Sequence, residues 1–120
     1  EKNVLFSNKD FSEINVDLLT SKDFVYVDPP YLITCATYIE KFWNEREEKR
    51  LLAYLDELDK NKIRFALSNV LFTDGKKNKI LEEWINNRNY NCYHLSFSYK
   101  NSNYHKKNCN KTDEVLITNY

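Results

Sequence analysis

The chain has 120 residues, which is the size of one small domain, and it is 42% hydrophobic and 30% charged. That balance is typical of a globular protein and excludes a disordered or fibrous chain. The formal net charge is zero, so contact with a polyanion must depend on a local basic patch. No stretch is long and apolar enough to span a bilayer, so we expect no membrane partner.

The cysteines favour a reducing compartment. Cys35, Cys92 and Cys109 form no close pair and show no spacing typical of metal ligands. We therefore expect free thiols in a cytoplasmic protein and no metal site.

The N-terminal stretch predicts a strand over residues 4–7, followed by Asn-Lys-Asp-Phe at residues 8–11. Asp10 fits an N-cap for a short helical segment over residues 11–15, with Glu13 completing a capping box and Phe11 in the core. Residues 14–21 form a short link to the next strand.

The most informative stretch is residues 24–31, Phe-Val-Tyr-Val-Asp-Pro-Pro-Tyr. Residues 24–28 predict a buried strand, because β-branched and aromatic side chains suit a pleated surface. Pro29 and Pro30 end the strand, since neither has an N–H for a ladder. Ligands of open α/β sheets bind beyond the carboxyl ends of strands. Asp28 and Tyr31 therefore place an acceptor and a stacking ring where a planar ligand would lie.

Residues 44–60 predict the clearest helix. Asn44 and Glu47 fit a capping box, and four leucines at 51, 52, 55 and 58 form one apolar stripe. The charged residues between 45 and 57, Glu48 and Arg50 among them, are expected on solvated faces. A second core strand covers residues 63–70 and ends at Asn69, which either lies beside Asp28 and helps to position a ligand or forms a turn.

The remaining chain predicts a loop over residues 71–78, a helix over 79–87 and a strand over 91–99 whose buried face carries Tyr93, Leu95, Phe97 and Tyr99. A basic loop over 100–112 follows, and residues 114–120 return as a strand. We expect these last two strands to form an antiparallel hairpin at the edge of a mostly parallel sheet.

Several of these segments resemble one enzyme family. Residues 28–31, Asp-Pro-Pro-Tyr, resemble the catalytic tetrapeptide of amino-group DNA methyltransferases, which use S-adenosylmethionine. Residues 28–34, 42–43, 66–69 and 112–120 resemble the adenine-N6 branch related to Dam and DpnII-type enzymes. The resemblance implies an α/β fold: part of a Rossmann-like methyltransferase sheet with helices on its faces.

The resemblance also implies roles for particular residues. Asp28 and the carbonyl of Pro29 would hold the adenine amine, in the turn that Pro30 completes, and Tyr31 would stack on the base. Asp10 and Phe11 would hold the adenine of the cofactor, with Asp28 nearby, an interpretation that stands beside the capping one. Further candidates for contact with the base or with DNA phosphates are Asn69, Tyr99, Tyr104, Lys100, Lys106 and Lys107.

The implied protein acts on double-stranded DNA, in a bacterial or phage cytoplasm and in a restriction–modification system. The single glycine, Gly75, cannot supply the Gly-rich turn of the cofactor-binding strand. We therefore expect residues 1–120 to be one domain, the C-terminal catalytic part, without that strand or the target-recognition segment. An exposed sheet edge would allow a homodimer. The alternatives are a non-catalytic fragment that binds DNA or a partner, and a methylase of RNA or protein.

Overall fold

The computed structural model describes residues 3–34, 39–95 and 112–120. Two α-helices, α1 and α2, cover Glu45–Lys60 and Lys79–Asn86. Strands β1 to β5 cover Phe24–Val27, Arg64–Thr73, Lys76–Lys77, Asn91–His94 and Thr112–Thr118, and short 3-10 helices cover Phe11–Glu13, Val16–Leu18 and Leu32–Thr34. Within the three described ranges, neither α-helix is long and apolar enough to cross a bilayer.

The five strands form one sheet in the order β1-β2-β5-β4, with β3 paired to β2. β1 and β2 are parallel, whereas β2–β3, β2–β5 and β4–β5 are antiparallel. The expectation of a mostly parallel sheet was therefore wrong, because most pairs of neighbouring strands are antiparallel. The physical reason is that β5 lies between β2 and β4 and runs against both, while β3 returns from β2 through a tight turn. The predicted C-terminal hairpin is confirmed by the β4–β5 pairing.

Both helices pack against one face of the sheet. Asn44 caps α1 by accepting from the backbone N–H of Glu47 at 3.2 Å, as its sequence predicts. The apolar stripe of α1 then packs on side chains that alternate along β2 and β5. Each fully buried leucine stabilises the fold by about 1.5–3 kcal/mol. The buried residues at this interface are Leu51, Leu52, Leu55, Leu58, Phe65, Leu67, Val115 and Ile117.

On the opposite face of the sheet several large side chains are exposed in the described part of the chain, although the small side chains of Ala66 and Thr118 are buried. Phe24, Tyr26 and Tyr93 are 51%, 59% and 51% exposed there. The predicted buried face of the strand at 91–99 was therefore wrong over its described residues, because Tyr93 and Leu95 are exposed while Cys92 packs against the core. The helices lie on the Cys92 side only, and an alternating pattern does not say which side is covered.

Two other predicted elements differ from the structure. Residues 4–7 are not a strand, and Leu5 and Phe6 are each 95% exposed, because no described strand lies beside them to complete a ladder. The predicted loop over 71–78 is instead the end of β2 and the short strand β3. Asp74 and Gly75 join them with φ values of 50° and 75°, a turn that uses the positive-φ preference of an Asp-Gly pair.

Candidate active site

The candidate site begins where β1 ends. The parallel register pairs Val27 with Leu67, so Asp28 leaves the strand beside the carboxyl half of β2. The two prolines that follow cannot extend the ladder. Asp28 is exposed, and no described Lys, Arg or His side chain forms an ion pair with it. This carboxylate therefore stays available as an acceptor.

Tyr31, the last residue of the motif, contacts Asp28. Its hydroxyl donates to Asp28 Oδ1 at 3.3 Å, which is long for a bond between two oxygens. Partial burial, followed by the negative charges of Asp28 and Glu114, raises the pKa of Tyr31. The phenol therefore stays protonated at neutral pH and can only donate to the carboxylate. The Tyr31 side chain therefore lies beside Asp28, beyond the end of β1.

A half-open cavity of about 260 Å³ adjoins the motif. This volume is just below the range of about 300–1,000 Å³ typical of small-molecule sites. Its walls come from the end of β1, from the segment around Phe11 and from α1 and the residues before it. They are mostly apolar and aromatic, with Asp28 as the carboxylate: Phe11, Ile14, Val25, Tyr26, Val27, Asp28, Pro29, Trp43, Leu51 and Tyr54.

Asp10 is the N-cap that the sequence predicted. Its Oδ1 accepts from the Ser12 backbone N–H at 2.9 Å, and Glu13 Oε2 accepts from the Asp10 N–H at 2.8 Å, which completes the capping box. Arg50 also donates to both carboxylate oxygens, at 2.8 and 2.7 Å. These hydrogen bonds from Arg50, and then those from Ser12, lower the pKa of Asp10. The Asp10 carboxylate is therefore ionised, and most of its hydrogen-bond acceptor positions are used by Arg50 and Ser12.

Phe11 is held on two sides by α1. The Arg50 guanidinium carbon lies 4.3 Å from its ring centroid, a cation–π distance. The Tyr54 ring meets its edge with centroids 5.6 Å apart, and the Tyr54 hydroxyl donates to the Ile14 carbonyl at 2.9 Å. The chain thus brings Phe11 and Asp28, which the sequence separates by 17 positions, to one cavity.

Asn69 does not reach the open site. Its side chain is 1% exposed and its Nδ2 donates to Glu48 Oε1 at 2.9 Å. The other predicted contacts with the base or DNA, which are Tyr99, Tyr104, Lys100, Lys106 and Lys107, lie outside the described residues. Their roles stay predictions.

The sequence missed three residues of α1 near the site. Arg50 and Glu48 were expected on solvated faces, yet Arg50 binds Asp10 and Glu48 is fully buried. Tyr54 was not singled out, although it lines the cavity. A signal for Glu48 was present, because it precedes Leu51 by three positions and Leu52 by four and so lies on the apolar stripe. Tyr54 carried the same signal, because it follows Leu51 by three positions and precedes Leu58 by four. Arg50 carried none, since its partner Asp10 is 40 residues away in sequence.

These features define an α/β protein with an acidic-aromatic site at the end of a strand. Residues 1–108 match the family model of D12 class N6 adenine-specific DNA methyltransferase, and the chain belongs to that family. The family resemblance seen in the sequence is thereby confirmed.

Three curated proteins, all named as modification enzymes or methyltransferases, are similar in sequence to this chain. Modification methylase StsI of Streptococcus sanguinis is 43% identical over 96% of this chain and 18% of its own length. Type II methyltransferase M.FokI of Planomicrobium okeanokoites is 45% identical over 100% of the chain and 19% of its own length. Modification methylase LlaI of Lactococcus lactis subsp. lactis is 36% identical over 92% of the chain and 17% of its own length. The chain thus spans less than a fifth of each relative.

Proposed function

We propose that the protein carrying this chain transfers a methyl group from S-adenosylmethionine to the N6 amine of adenine in double-stranded DNA. One observation supports this most directly: Asp28 is exposed at the end of β1, beside a cavity lined by aromatic rings, in a chain of the adenine-N6 family. The names and organisms of the relatives support a role in bacterial restriction–modification. A cytoplasmic setting, in a bacterium or during phage infection, is part of the proposal.

Asp28 and the Pro29 carbonyl would each accept a hydrogen bond from one N–H of the adenine amine. The lone pair of that nitrogen is delocalised into the ring, so the amine is a poor nucleophile until its geometry becomes tetrahedral. Two fixed acceptors favour that geometry and stabilise the positive charge that develops on nitrogen. Among the described residues, the long bond from Tyr31 is the one side-chain bond to Asp28, so an amine can replace Tyr31 as donor. The rigid turn of Pro29 and Pro30 keeps both acceptors in place.

The residues around the cavity fit S-adenosylmethionine. A sulfonium cation is attracted to a carboxylate and to aromatic faces, and Asp28, Phe11, Trp43 and Tyr54 supply both. Asp10, which Arg50 and Ser12 keep ionised, keeps one acceptor position at Oδ2 for an exocyclic amine. The bound donor would supply an activated methyl group, so no protein nucleophile is required.

The strand directions support part of a Rossmann-like sheet. β5 is antiparallel to both β2 and β4, so β1, β2 and β4 all run in one direction. We infer that residues 1–120 are the C-terminal catalytic part of such a domain, and that the Gly-rich strand and the DNA-recognition segment belong to other parts of a longer protein. β1 pairs with β2 alone among the described residues, and its other edge would pair with the Gly-rich strand or, in a homodimer, with a second chain.

The DNA would contribute an adenine rotated out of the helix, because N6 is inaccessible inside a duplex. Tyr31 would stack on the flipped base, with Tyr99 or Tyr104 as candidates for its second face. Lys100, Lys106 and Lys107 would contact phosphates, which position a protein without reading sequence.

The test measures labelled methyl transfer from S-adenosylmethionine into DNA, RNA and protein, with the protein at its natural length. Asp28→Ala should lower the rate of methyl transfer into DNA by about 10²–10³-fold, the loss typical of removing one group that stabilises charge in the transition state. Asp17→Ala is the matched control, because Asp17 is also exposed and its side chain forms no hydrogen bond or ion pair within the described residues. Label in RNA or protein instead of DNA, or near-normal turnover of Asp28→Ala, would overturn the proposal.

A further inference from the structure

Glu48 is the one carboxylate that is fully buried among the described residues. It accepts three hydrogen bonds from neutral donors: the Trp43 indole Nε1–H on Oε2 at 2.9 Å, and the side-chain amides of Asn69 and Asn78 on Oε1 at 2.9 and 3.0 Å. A buried carboxylate is costly unless such bonds satisfy it. Glu48 lies in the first turn of α1, where the helix dipole also favours a negative charge.

The three donors come from three different parts of the fold. Trp43 precedes α1 and ends the connection from the Asp28 motif, Asn69 lies in β2, and Asn78 is the N-cap of α2. An apolar side chain at position 48 would fill the same space but leave three buried donors unsatisfied. The carboxylate therefore fixes where these parts meet.

Only one of the three donors reaches the candidate active site. Trp43 is 8% exposed, and its ring forms a wall of the cavity together with Asp28 and Pro29. Its indole can turn about two side-chain torsions, and the bond to Glu48 selects one orientation. The position of this wall thus depends on a group that does not itself line the cavity.

We propose that Glu48 is a positioning residue for the methyl-donor site: it fixes the Trp43 ring and thereby sets the affinity for S-adenosylmethionine. This inference rests on the proposed function of the cavity. It assigns Glu48 no contact with the donor or with the reacting atoms, so its effect should fall on donor binding more than on turnover at saturation.

The experiment is a double-mutant cycle on donor binding, measured by calorimetry with S-adenosylmethionine and the protein at its natural length. Glu48→Gln keeps the size and one acceptor oxygen, but its amide N–H₂ faces the indole N–H. Trp43→Phe keeps an aromatic wall and removes the donor. Each change should weaken donor binding by up to about tenfold, because a ring that is no longer held in one orientation must be ordered when the donor binds. The double variant should lose about tenfold as well, because both changes break the same bond.

A second indole–carboxylate pair provides the control. Trp84 Nε1–H donates to Asp56 Oδ1 at 3.0 Å, and neither residue lines the cavity beside Asp28. Asp56→Asn should lower the melting temperature yet change donor affinity less than about twofold, within the usual range for distant sites. With this result, a loss of fold stability alone would not explain the weaker donor binding of Glu48→Gln and Trp43→Phe.

The turnover number separates positioning from general damage. For Glu48→Gln, KM for the donor should rise about tenfold while kcat changes by less than about threefold. Additive losses in the cycle, or unchanged affinity in Trp43→Phe, would overturn the inference. The affinity of Trp43→Phe tests the inference even if Glu48→Gln does not fold. A wild-type protein that binds no S-adenosylmethionine would overturn the proposed function instead.

Discussion

The hydroxyl and the ring of Tyr31 can be separated by mutation. In the structure the hydroxyl donates to Asp28 Oδ1 at 3.3 Å, and the ring lies half-buried beside that carboxylate. Tyr31→Phe removes only the hydroxyl, whereas Tyr31→Ala removes the stacking surface too. The proposed mechanism requires the ring for the base and the carboxylate for the amine, but it does not require the hydroxyl.

The distance sets the size of the expected effect. Hydrogen bonds to charged groups contribute about 1.5–3 kcal/mol at normal length, and oxygen–oxygen bonds are normally about 2.7–2.8 Å. At 3.3 Å the Tyr31 bond is weaker, and breaking it also frees Oδ1 for the adenine amine. We therefore expect Tyr31→Phe to change kcat/KM by less than about threefold. Loss of stacking costs about 1–3 kcal/mol per base, so Tyr31→Ala should lower kcat/KM by about 5–150-fold.

The assay is steady-state methyl transfer into a DNA duplex, with kcat/KM for DNA as the measured quantity. Tyr90→Phe is the matched control, because the Tyr90 hydroxyl also donates to a carboxylate, Asp56 Oδ1, at 3.1 Å, but away from the site. It should lower the melting temperature and leave kcat/KM unchanged. If Tyr31→Phe were as slow as Tyr31→Ala, the hydroxyl would be needed and the stacking role would be wrong.

Two further predictions concern charge. The pKa of Asp10 is lowered by Arg50, so the stability from this pair is present above the ordinary aspartate pKa of 3.8 and is lost as pH falls through the depressed value. Arg50→Met should therefore flatten the fall of melting temperature below about pH 4, measured by calorimetry; an unchanged acid limb would contradict this. Lys106→Ala and Lys107→Ala should each reduce the slope of log K for DNA binding against log salt by about 0.9, and an unchanged slope in a salt titration would exclude a phosphate contact.

The sequence predicts most of the elements around the site because their signals are local. The β-branched run before two prolines predicts β1 and its end, and the leucine stripe with Asn44 predicts α1. Side-chain partners distant in sequence leave no such signal. The Arg50–Asp10 pair is 40 residues apart, and nothing in either residue's neighbours indicates the other. Arg50 could therefore be predicted to be charged and helical, but not to hold the cap of another segment.

Strand pairing shows a second limit. Residues 4–7 have the composition of a strand. A strand, however, forms only where its backbone can hydrogen-bond to a neighbouring strand, and no such neighbour is described beside these residues. The antiparallel pairings of β5 likewise depend on which strands lie beside it, which periodicity does not specify. The faces of β4 were misjudged for the same reason, since alternation identifies two faces but not the one that a helix covers.

The two aspartates of the cavity region differ in how many hydrogen-bond donors their local structure supplies, and this difference favours Asp28 as the acceptor for the reacting amine in the proposed mechanism. Asp10 opens a 3-10 helix, so its carboxylate receives the backbone and hydroxyl donors of Ser12 in addition to Arg50. Asp28 follows a strand and precedes two prolines, which have no N–H to donate, and within the described ranges it accepts a single long bond. Because a reacting amine must find an acceptor that is not already occupied, the Pro-Pro sequence does more than stiffen the turn: it removes the local donors that would otherwise occupy Asp28.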